Sequence, residues 1–398
     1  MANAAQTVFR GAMDDLPTRV DIVDKLSPEN YAREVERIFR RAWLPVAHLA
    51  ELPREGSYVV VDVPTVRTSL LVMRARDGVV RAFHNICRHR GNKLVRAGTG
   101  CRPTVTCGFH GWSFAPDGRL AGVPDQAQFK DFDKNALGLI PVTTEVWEGL
   151  VFVNFDREPR WSLAEWLGPM YDQFAGYWDD KEKLTSYQAE FHCNWHLGVN
   201  AFTEGYHTLF LHKNTVPDYQ GGRSNPLRHR PYMEMMQRHH RYSAPRNPDH
   251  KATPAEVFAF KYGRKLVPAY DGDSSKLPPG VNPARADNWA FDVIELFPNF
   301  VMLNSNNWHL GIWFWPVDAG QTVIRADRYL YKAKTAGERL GQAYSKVRAR
   351  EVLREDLNTM EATQAALMSG VMRDIVLSQQ ELALQHHFKV TDDMLRDV

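Results

Sequence analysis

Hydrophobic and polar positions divide the first part of the chain into one helical and one strand-like region. Apolar residues recur at helical spacing from Ser27 to about Arg41, and Pro28 stands at the first position after the candidate cap Ser27. This pattern predicts a short amphipathic helix. The runs that follow are short, rich in β-branched residues and separated by turn signals such as Asp77-Gly78: 58–63, 69–74, 79–83, 104–106 and 150–155. They predict an antiparallel all-β unit over about residues 42–155.

The second half alternates helix-like and strand-like patterns. Residues 161–178 and 191–210 are helix-like, whereas 289–300, 301–315 and 322–333 are rich in aromatic and β-branched residues and predict a curved sheet. Four aromatic residues there could line an apolar pocket, although core packing is expected for most of them: Phe300, Trp308, Phe314 and Trp315.

Between these patterns, residues 214–286 hold many Pro, Gly, Asn and Asp residues. We expect long loops around a pocket mouth. The histidines of this stretch are expected to be solvated loop side chains: His239, His240 and His250.

Composition narrows the class of protein. The 398 residues, 44% of them hydrophobic, are enough for two domains with separate cores, and the net charge of +2 gives no reason to expect nucleic acid or an anionic membrane as a partner. The first residues lack the apolar core of a signal peptide, and no apolar stretch is long enough to span a bilayer. We therefore expect a cytoplasmic protein, and in a reducing compartment a count of only four cysteines indicates ligands rather than disulfides.

Two short motifs in the β unit combine cysteine and histidine. Cys87-x-His89 is followed by Cys107-x2-His110, with seventeen residues between His89 and Cys107, and glycines at 91, 108 and 111 allow both loops to turn tightly. Two thiolates and two imidazoles can ligate a [2Fe–2S] cluster in the Rieske manner. Zinc also accepts two cysteines and two histidines, but zinc fingers favour a different spacing. Cys101 and Cys193 fit neither motif, and are predicted to be buried small apolar residues.

A polar stripe interrupts the apolar segment that follows Phe191. Asn200, Glu204 and His207 are spaced by four and three residues, which places them on one face of a helix, and His212 follows. Two histidines can bind a divalent metal, and one carboxylate would complete the two-histidine, one-carboxylate face of non-haem Fe(II) proteins. Five residues rotate about 140° around a helix, so a π-type turn or a helix end must separate His207 from His212.

The carboxylate is expected from the helical stretch near the C-terminus. Four acidic residues are available there, and the residues alone do not choose between them: Glu351, Glu355, Asp356 and Glu361. A solvated helix face is the expected position of Glu351 and Glu361.

The two motifs in this order resemble those of the Rieske non-haem iron oxygenases, in particular the α or terminal-oxygenase subunit of the aromatic ring-hydroxylating type. The resemblance rests on eight residues and covers most of the chain: Cys87, His89, Cys107, His110, Asn200, Glu204, His207 and His212. It implies an α+β fold, with an all-β Rieske domain at 42–155 inserted into a catalytic domain, 1–41 with 156–398, that has an antiparallel sheet flanked by helices. Rieske electron carriers resemble the chain less, because they carry an extra cysteine near each ligand loop and a membrane helix.

The resemblance also implies site residues. Asp356, in the sequence Glu355-Asp356-x4-Glu361, would join His207 and His212 as ligands of mononuclear Fe(II), and Asn200 would lie near the iron. Glu204 would bridge a cluster histidine of one subunit, His110, to His207 of the next. The family usually has aspartate at this position, and some of its monooxygenating members carry glutamate.

The implied activity is hydroxylation, foremost cis-dihydroxylation, of an aromatic or other hydrophobic substrate with O2. The alternatives are a Rieske monooxygenase or an O- or N-demethylase. A soluble Rieske electron carrier would leave the second metal motif unexplained, and a zinc hydrolase would leave the first. No dinucleotide-binding G-x-G-x-x-G motif follows a strand, so electrons from NAD(P)H would come through a separate reductase, with or without a ferredoxin. A homotrimer or an α3β3 assembly is implied.

Overall fold

The computed structural model describes residues 7–179, 181–262, 277–305 and 308–396. The chain divides into two compact units, one formed by Val35–Trp166 and the other by Met1–Glu34 together with Leu167–Val398. The predicted domain boundaries at 42 and 155 fall inside the first of these units, and the domain assignment remains a prediction.

The N-terminal segment carries short elements. A π-helical turn, Val35–Phe39, continues the helix predicted from Ser27, which begins at Pro28 as expected. The elements of this segment are β1 (Val8–Arg10), β2 (Arg19–Asp21), α1 (Ile22–Lys25) and α2 (Pro28–Glu34).

The unit 35–166 is built on antiparallel strands, as the alternating runs predict. Its strands are β3 (Leu44–His48), β4 (Ser57–Val63), β5 (Thr68–Arg74), β6 (Val80–His84), β7 (Thr99–Cys101), β8 (Val105–Thr106), β9 (Ser113–Phe114), β10 (Leu120–Gly122), β11 (Pro141–Trp147) and β12 (Leu150–Asn154). Seven of them form a sheet in the order β3-β12-β11-β6-β5-β4-β7, and β10-β9-β8 form a second, smaller one. Gly118 takes a φ of +86° in the turn between β9 and β10, and a side chain there would clash with Phe83.

Helix α3 (Leu163–Leu167) leads out of this unit, and a larger sheet follows. Its elements, in chain order, are β13 (Lys181–Phe191), α4 (Trp195–Thr203), β14 (Tyr232–Met236), β15 (His239–Pro245), α5 (Pro254–Tyr262), β16 (Trp289–Leu296), β17 (Phe300–Asn304), β18 (Trp308–Asp318), β19 (Gln321–Tyr331), α6 (Ala336–Leu367), β20 (Asp374–Val376) and α7 (Leu382–Arg396). The eight-stranded sheet has the order β1-β14-β15-β16-β17-β18-β19-β13, and all its pairs except β1 with β14 are antiparallel. Helices α4, α6 and α7 pack around it, which confirms the α+β class.

Three expectations for residues 161–286 are wrong. Of the helix predicted over 161–178, the structure contains only α3 and a 3-10 turn at Gly168–Met170. The stretch 214–286 holds β14, β15 and α5, although residues 263–276 lie outside the described part. His239 and His240 are buried on β15, because tertiary packing supplies partners that local composition does not reveal.

Among the described residues, every helix is too short or too polar to cross a bilayer.

Candidate metal centres and active site

The helix that precedes the two candidate metal-binding histidines ends earlier than the polar spacing predicts. Helix α4 stops at Thr203, and Glu204 is already extended, with φ −129° and ψ 172°. His207 and His212 lie on two successive 3-10 turns, His207–Leu209 and Leu211–Lys213. The prediction that Glu204 and His207 share a helical face with Asn200 is therefore wrong. The spacing of His207 and His212 requires a helix end between them, and this is present because the first 3-10 turn ends at Leu209 and the second begins at Leu211.

Three ligand-type atoms converge after these turns. The Nε2 atoms of His207 and His212 are 3.2 Å apart, and Oδ1 of Asp356 lies 3.4 Å from the first and 3.2 Å from the second. His212 and Asp356 are buried, and Oδ1 of Asp356 makes no hydrogen bond among the described residues. Two imidazole nitrogens and an unpaired carboxylate oxygen at this spacing fit a divalent metal. This donor set is that of a non-haem iron centre.

Each of the two histidines makes a hydrogen bond to a glutamate through its second ring nitrogen, Nδ1. Nδ1 of His207 hydrogen-bonds Glu204, and Nδ1 of His212 lies 2.7 Å from Oε2 of Glu355. The other oxygen of Glu355 accepts the hydroxyl of Thr215. An acceptor at Nδ1 places the ring proton there and leaves the Nε2 lone pair for a metal.

Glu355 and Asp356, which are adjacent on α6, contact opposite sides of the His212 ring. Asp356 faces the two Nε2 atoms, whereas Glu355 reaches the far side of the His212 ring. Sequence reasoning considered Glu355 only as an alternative ligand and missed this contact. The available signal was chemical, since a metal-binding histidine needs an acceptor for its second nitrogen.

The other two acidic residues of α6 lie apart from the centre. Glu361 accepts the backbone N–H of His192 at 2.9 Å, and Glu351 pairs with Arg350 and Arg354.

The charge of Glu204 is stabilised locally. Burial favours a higher pKa, but the hydrogen bond to His207 and the positive charge of Arg230 outweigh it and hold the pKa of Glu204 below its usual value. The guanidinium of Arg230 lies over the ring of Tyr242, whose hydroxyl donates to the carbonyl oxygen of Glu204. Glu204 is therefore an anion fixed at the end of α4.

Asn200 is buried on α4, and its Oδ1 atom finds no hydrogen-bond donor among the described residues. A place near the iron remains a prediction for this residue.

A cavity of about 200 Å³ opens beside the three converging atoms. His207, His212 and Asp356 form part of its wall, and much of the remainder is apolar, as in Val293 and Leu310. Of the four aromatic residues proposed from the sequence, Trp308 lines the cavity. Phe300, Phe314 and Trp315 are buried, and the cavity wall does not include them.

The cysteine–histidine motifs form two loops with the same hydrogen bonds. The carbonyl of Cys87 accepts the N–H of Gly91 at 3.0 Å, and the carbonyl of Cys107 accepts the N–H of Gly111 at 3.0 Å. Both glycines have positive φ, +76° and +72°. Gly108 does not, so only two of the three glycines that the sequence suggested are needed for the backbone.

The loops bring their ligand-type side chains together. The rings of His89 and His110 are 4.6 Å apart, and Nδ1 of His89 is buried without a hydrogen bond among the described residues. Cys87 and Cys107 are free and buried. Burial favours a higher pKa for Cys107, but N–H donors from residues 109 and 110 and the Cys87 thiol outweigh it and lower that pKa. This set fits a Rieske cluster.

The two remaining cysteines differ from each other. Cys193 is buried as predicted, whereas Cys101 is exposed at the end of β7, which contradicts the expectation of a buried residue.

Comparison with known proteins agrees with both centres. Residues 179–397 match the family model of the ring hydroxylating alpha subunit (catalytic domain), and residues 42–133 match that of the Rieske [2Fe-2S] domain. Because the first match covers more than half of the chain, the chain belongs to the ring-hydroxylating alpha subunit family, and the second match gives it a Rieske [2Fe–2S] domain.

Relatives within the family differ in their reactions. The chain is 30% identical over 183 residues to the carnitine monooxygenase oxygenase subunit of Acinetobacter baumannii. This match covers 46% of the chain and 49% of that protein. It is 33% identical over 202 residues to the anthranilate 1,2-dioxygenase large subunit of Acinetobacter baylyi, covering 48% and 42%. The matched part thus spans about half the length of these relatives.

A solved structure of a quaternary ammonium Rieske monooxygenase superposes with a TM-score of 0.76 at 22% identity and covers 94% of each chain. This likeness shows a shared fold.

Proposed function

We propose that the chain is the oxygenase component of a Rieske-type oxygenase that hydroxylates an aromatic or other hydrophobic organic substrate with O2. The observation that carries the proposal is the convergence of His207, His212 and Asp356 at the wall of a largely apolar cavity. A soluble electron carrier has no use for this second centre.

The residues of this chain would hold the two iron centres and orient their histidine ligands. Cys87, His89, Cys107 and His110 would hold the [2Fe–2S] cluster, and His207, His212 and Asp356 the mononuclear Fe(II). When bound, the two groups supply single electrons and activate O2 for attack on an arene or a C–H bond. Glu204 and Glu355 keep both histidine rings in the tautomer that presents Nε2. The apolar wall keeps water away from a hydrophobic substrate.

Two reaction outcomes are compatible with these ligands. Ring cis-dihydroxylation is the main proposal, as for the relative named anthranilate 1,2-dioxygenase. Monooxygenation or demethylation is the second, and two observations favour it. Glu204 occupies a position that usually holds aspartate, and relatives named carnitine and glycine betaine monooxygenase match the chain.

The family works with external electron donors, so we propose a separate reductase, with or without a ferredoxin, that draws on NAD(P)H. We further propose a homotrimer, alone or as α3β3, and a cytoplasmic location.

Iron and acid-labile sulfide analysis, together with a visible spectrum, tests the cofactor content. Product analysis with isotopically labelled O2 then separates the reactions. A cis-diol carrying two labelled oxygens identifies a dioxygenase, and a product with one labelled oxygen identifies a monooxygenase. A protein that holds both iron centres but oxygenates no member of a broad panel of arenes and alkylamines would contradict the proposal.

A further inference from the structure

Three arginines line the cavity beside the candidate iron ligands, and their charges are compensated differently. Nη1 of Arg348 lies 2.5 Å from Oε1 of Glu256, so its charge is paired within the chain. Arg228 has no carboxylate of the described residues within ion-pair distance, but it donates to the carbonyl oxygen of Pro217 at 3.1 Å, and none of its buried nitrogens lacks a hydrogen-bond partner. Arg328 is the case that needs an explanation.

Arg328 is a buried cation without a carboxylate partner. Only 8% of the residue is exposed, and no carboxylate oxygen of the described residues lies within ion-pair distance of its guanidinium. Nη2 donates to the hydroxyl of Ser345 at 2.7 Å, and Nε has no hydrogen-bond partner. Burying a cation that has no counter-ion and an N–H without a hydrogen bond destabilises the folded protein. Such a group in a cavity wall therefore indicates a ligand that supplies the missing negative charge.

The surroundings of Arg328 suit an anion in other ways. Its guanidinium lies over the ring of Trp308, 4.9 Å from the centroid, which fixes the plane of the fork. Ser345 also lines the cavity, and its hydroxyl proton remains available for a second hydrogen bond, since Ser345 accepts from Arg328. Burial lowers the pKa of Arg328 to about 10, so the side chain is still a cation at neutral pH.

We propose that the substrates of this chain carry a carboxylate, and that Arg328, assisted by Ser345, binds it. The planar fork of arginine matches the geometry of a carboxylate. The apolar part of the cavity wall contacts the body of the substrate. The oxidisable carbon then faces His207, His212 and Asp356. Arg328 is then a specificity residue of the same cavity, and the inference rests on the proposed function.

Binding to the holoprotein, measured by calorimetry without a reductant so that no turnover occurs, tests the inference. The probes are three acids, benzoate, phenylacetate and hexanoate, each paired with its neutral amide. We expect at least one acid to bind the wild type tenfold or more tightly than its amide. Arg328→Gln should weaken binding of that acid by ten- to a hundredfold and leave binding of the amide unchanged. Arg328→Lys, which keeps the charge, should retain part of the preference.

Arg325→Gln is the matched control. Arg325 lies on the same strand, pairs with Asp327 and does not line the cavity. Lys183 lies 3.6 Å from Asp327 and should still pair with that carboxylate when Arg325 is replaced. This variant should keep the preference for the acid. Equal binding of acids and amides by the wild type, or an undiminished acid preference in Arg328→Gln, would overturn the inference. If Arg328→Gln does not fold, the wild-type comparison and Arg328→Lys still decide.

Turnover with a reductase separates this inference from the proposed function. If an acid binds in an Arg328-dependent way but no oxygenated product forms, the carboxylate-binding inference is supported and the proposed oxygenase function is contradicted. Oxygenation of neutral substrates without any preference for acids keeps the oxygenase and contradicts the carboxylate site.

Discussion

At the scale of residues, the two candidate iron-binding histidines are equivalent in one respect. Each ring meets a glutamate through Nδ1 and turns Nε2 toward Asp356. The two neighbours on α6, Glu355 and Asp356, therefore have separable roles, one as an orienting acceptor and the other as a ligand.

Replacement of these two acids tests the division. Asp356→Ala should lose the mononuclear iron and all product formation, while the Rieske spectrum persists, because the two centres share no ligand. Glu355→Gln keeps an acceptor near Nδ1 of His212 and should still bind iron, with affinity reduced by about 10- to 100-fold. Metal analysis after dialysis measures both effects. An active Asp356→Ala protein beside an iron-free Glu355→Ala protein would show that the ligand is assigned one position too late.

The cluster loops give a second prediction at this scale. Cys87→Ser or His110→Ala should abolish the visible Rieske spectrum and turnover, because each removes one of four ligands. Cys101→Ser is the control, since Cys101 is exposed on β7 and should leave the spectrum intact. Unchanged spectra in both ligand variants would refute the cluster assignment.

At the scale of elements, α7 is tied to the sheet by buried titratable side chains. His387 lies 2.7 Å from both His196 on α4 and Glu295 on β16, and His386 lies 3.3 Å from His240 on β15. A hydrogen bond between two imidazoles needs one ring nitrogen as acceptor, so at least one ring of each histidine pair must be neutral. Burial lowers the pKa of His386 to about 4 and also lowers the pKa values of His196 and His240.

Stability should consequently fall on the acidic side of neutrality. An unfolded histidine takes up a proton near pH 6.5, whereas His386 in the folded protein does so only near pH 4. Between these values the unfolded state binds more protons, so the free energy of unfolding decreases as the pH falls. The contribution of His386 alone is roughly 3 kcal/mol.

Urea unfolding between about pH 4 and pH 7 measures this loss. His386→Gln should reduce the dependence on pH, and His192→Gln, which replaces an exposed histidine, should not. A dependence on pH that is the same in the wild type and in His386→Gln would contradict the assignment of the loss to this residue.

At the scale of the whole molecule, the proposed trimer gives Glu204 a further role. In one chain its carboxylate already contacts His207, with Arg230 4.0 Å away. In the assembly we propose that it also meets His110 of the neighbouring subunit, in a head-to-tail interface that closes as a ring.

Glu204→Gln keeps the shape of the side chain and removes its charge. We expect both iron centres and the oligomer to remain, whereas turnover should fall by at least about tenfold, as for other residues that orient a metal ligand. Size-exclusion chromatography, metal analysis and a single-turnover experiment on pre-reduced protein measure these properties together. Cluster reoxidation and product formation at the wild-type rate in the variant, or a fully active monomer, would refute the inter-subunit role.

Local sequence was sufficient for features that lie within one short segment. The cluster loops are examples, because Cys87 to Gly91 and Cys107 to Gly111 close by hydrogen bonds between residues four apart, and residue type and spacing alone indicate their chemistry. Five strands of the β unit were predicted for the same reason, since alternation and turn residues act over a few positions: β4, β5, β6, β8 and β12.

Tertiary structure decided the features that depend on distant partners. The end of α4 before Glu204, the different contacts of Glu355 and Asp356 with His212, and the burial of His239 and His240 all involve elements far apart in the sequence. The same holds for Arg328, since its missing counter-charge is a property of everything packed around it. Residue type and local spacing thus determined which chemistry the chain can perform, and packing between distant segments determined which of several candidate side chains face each other.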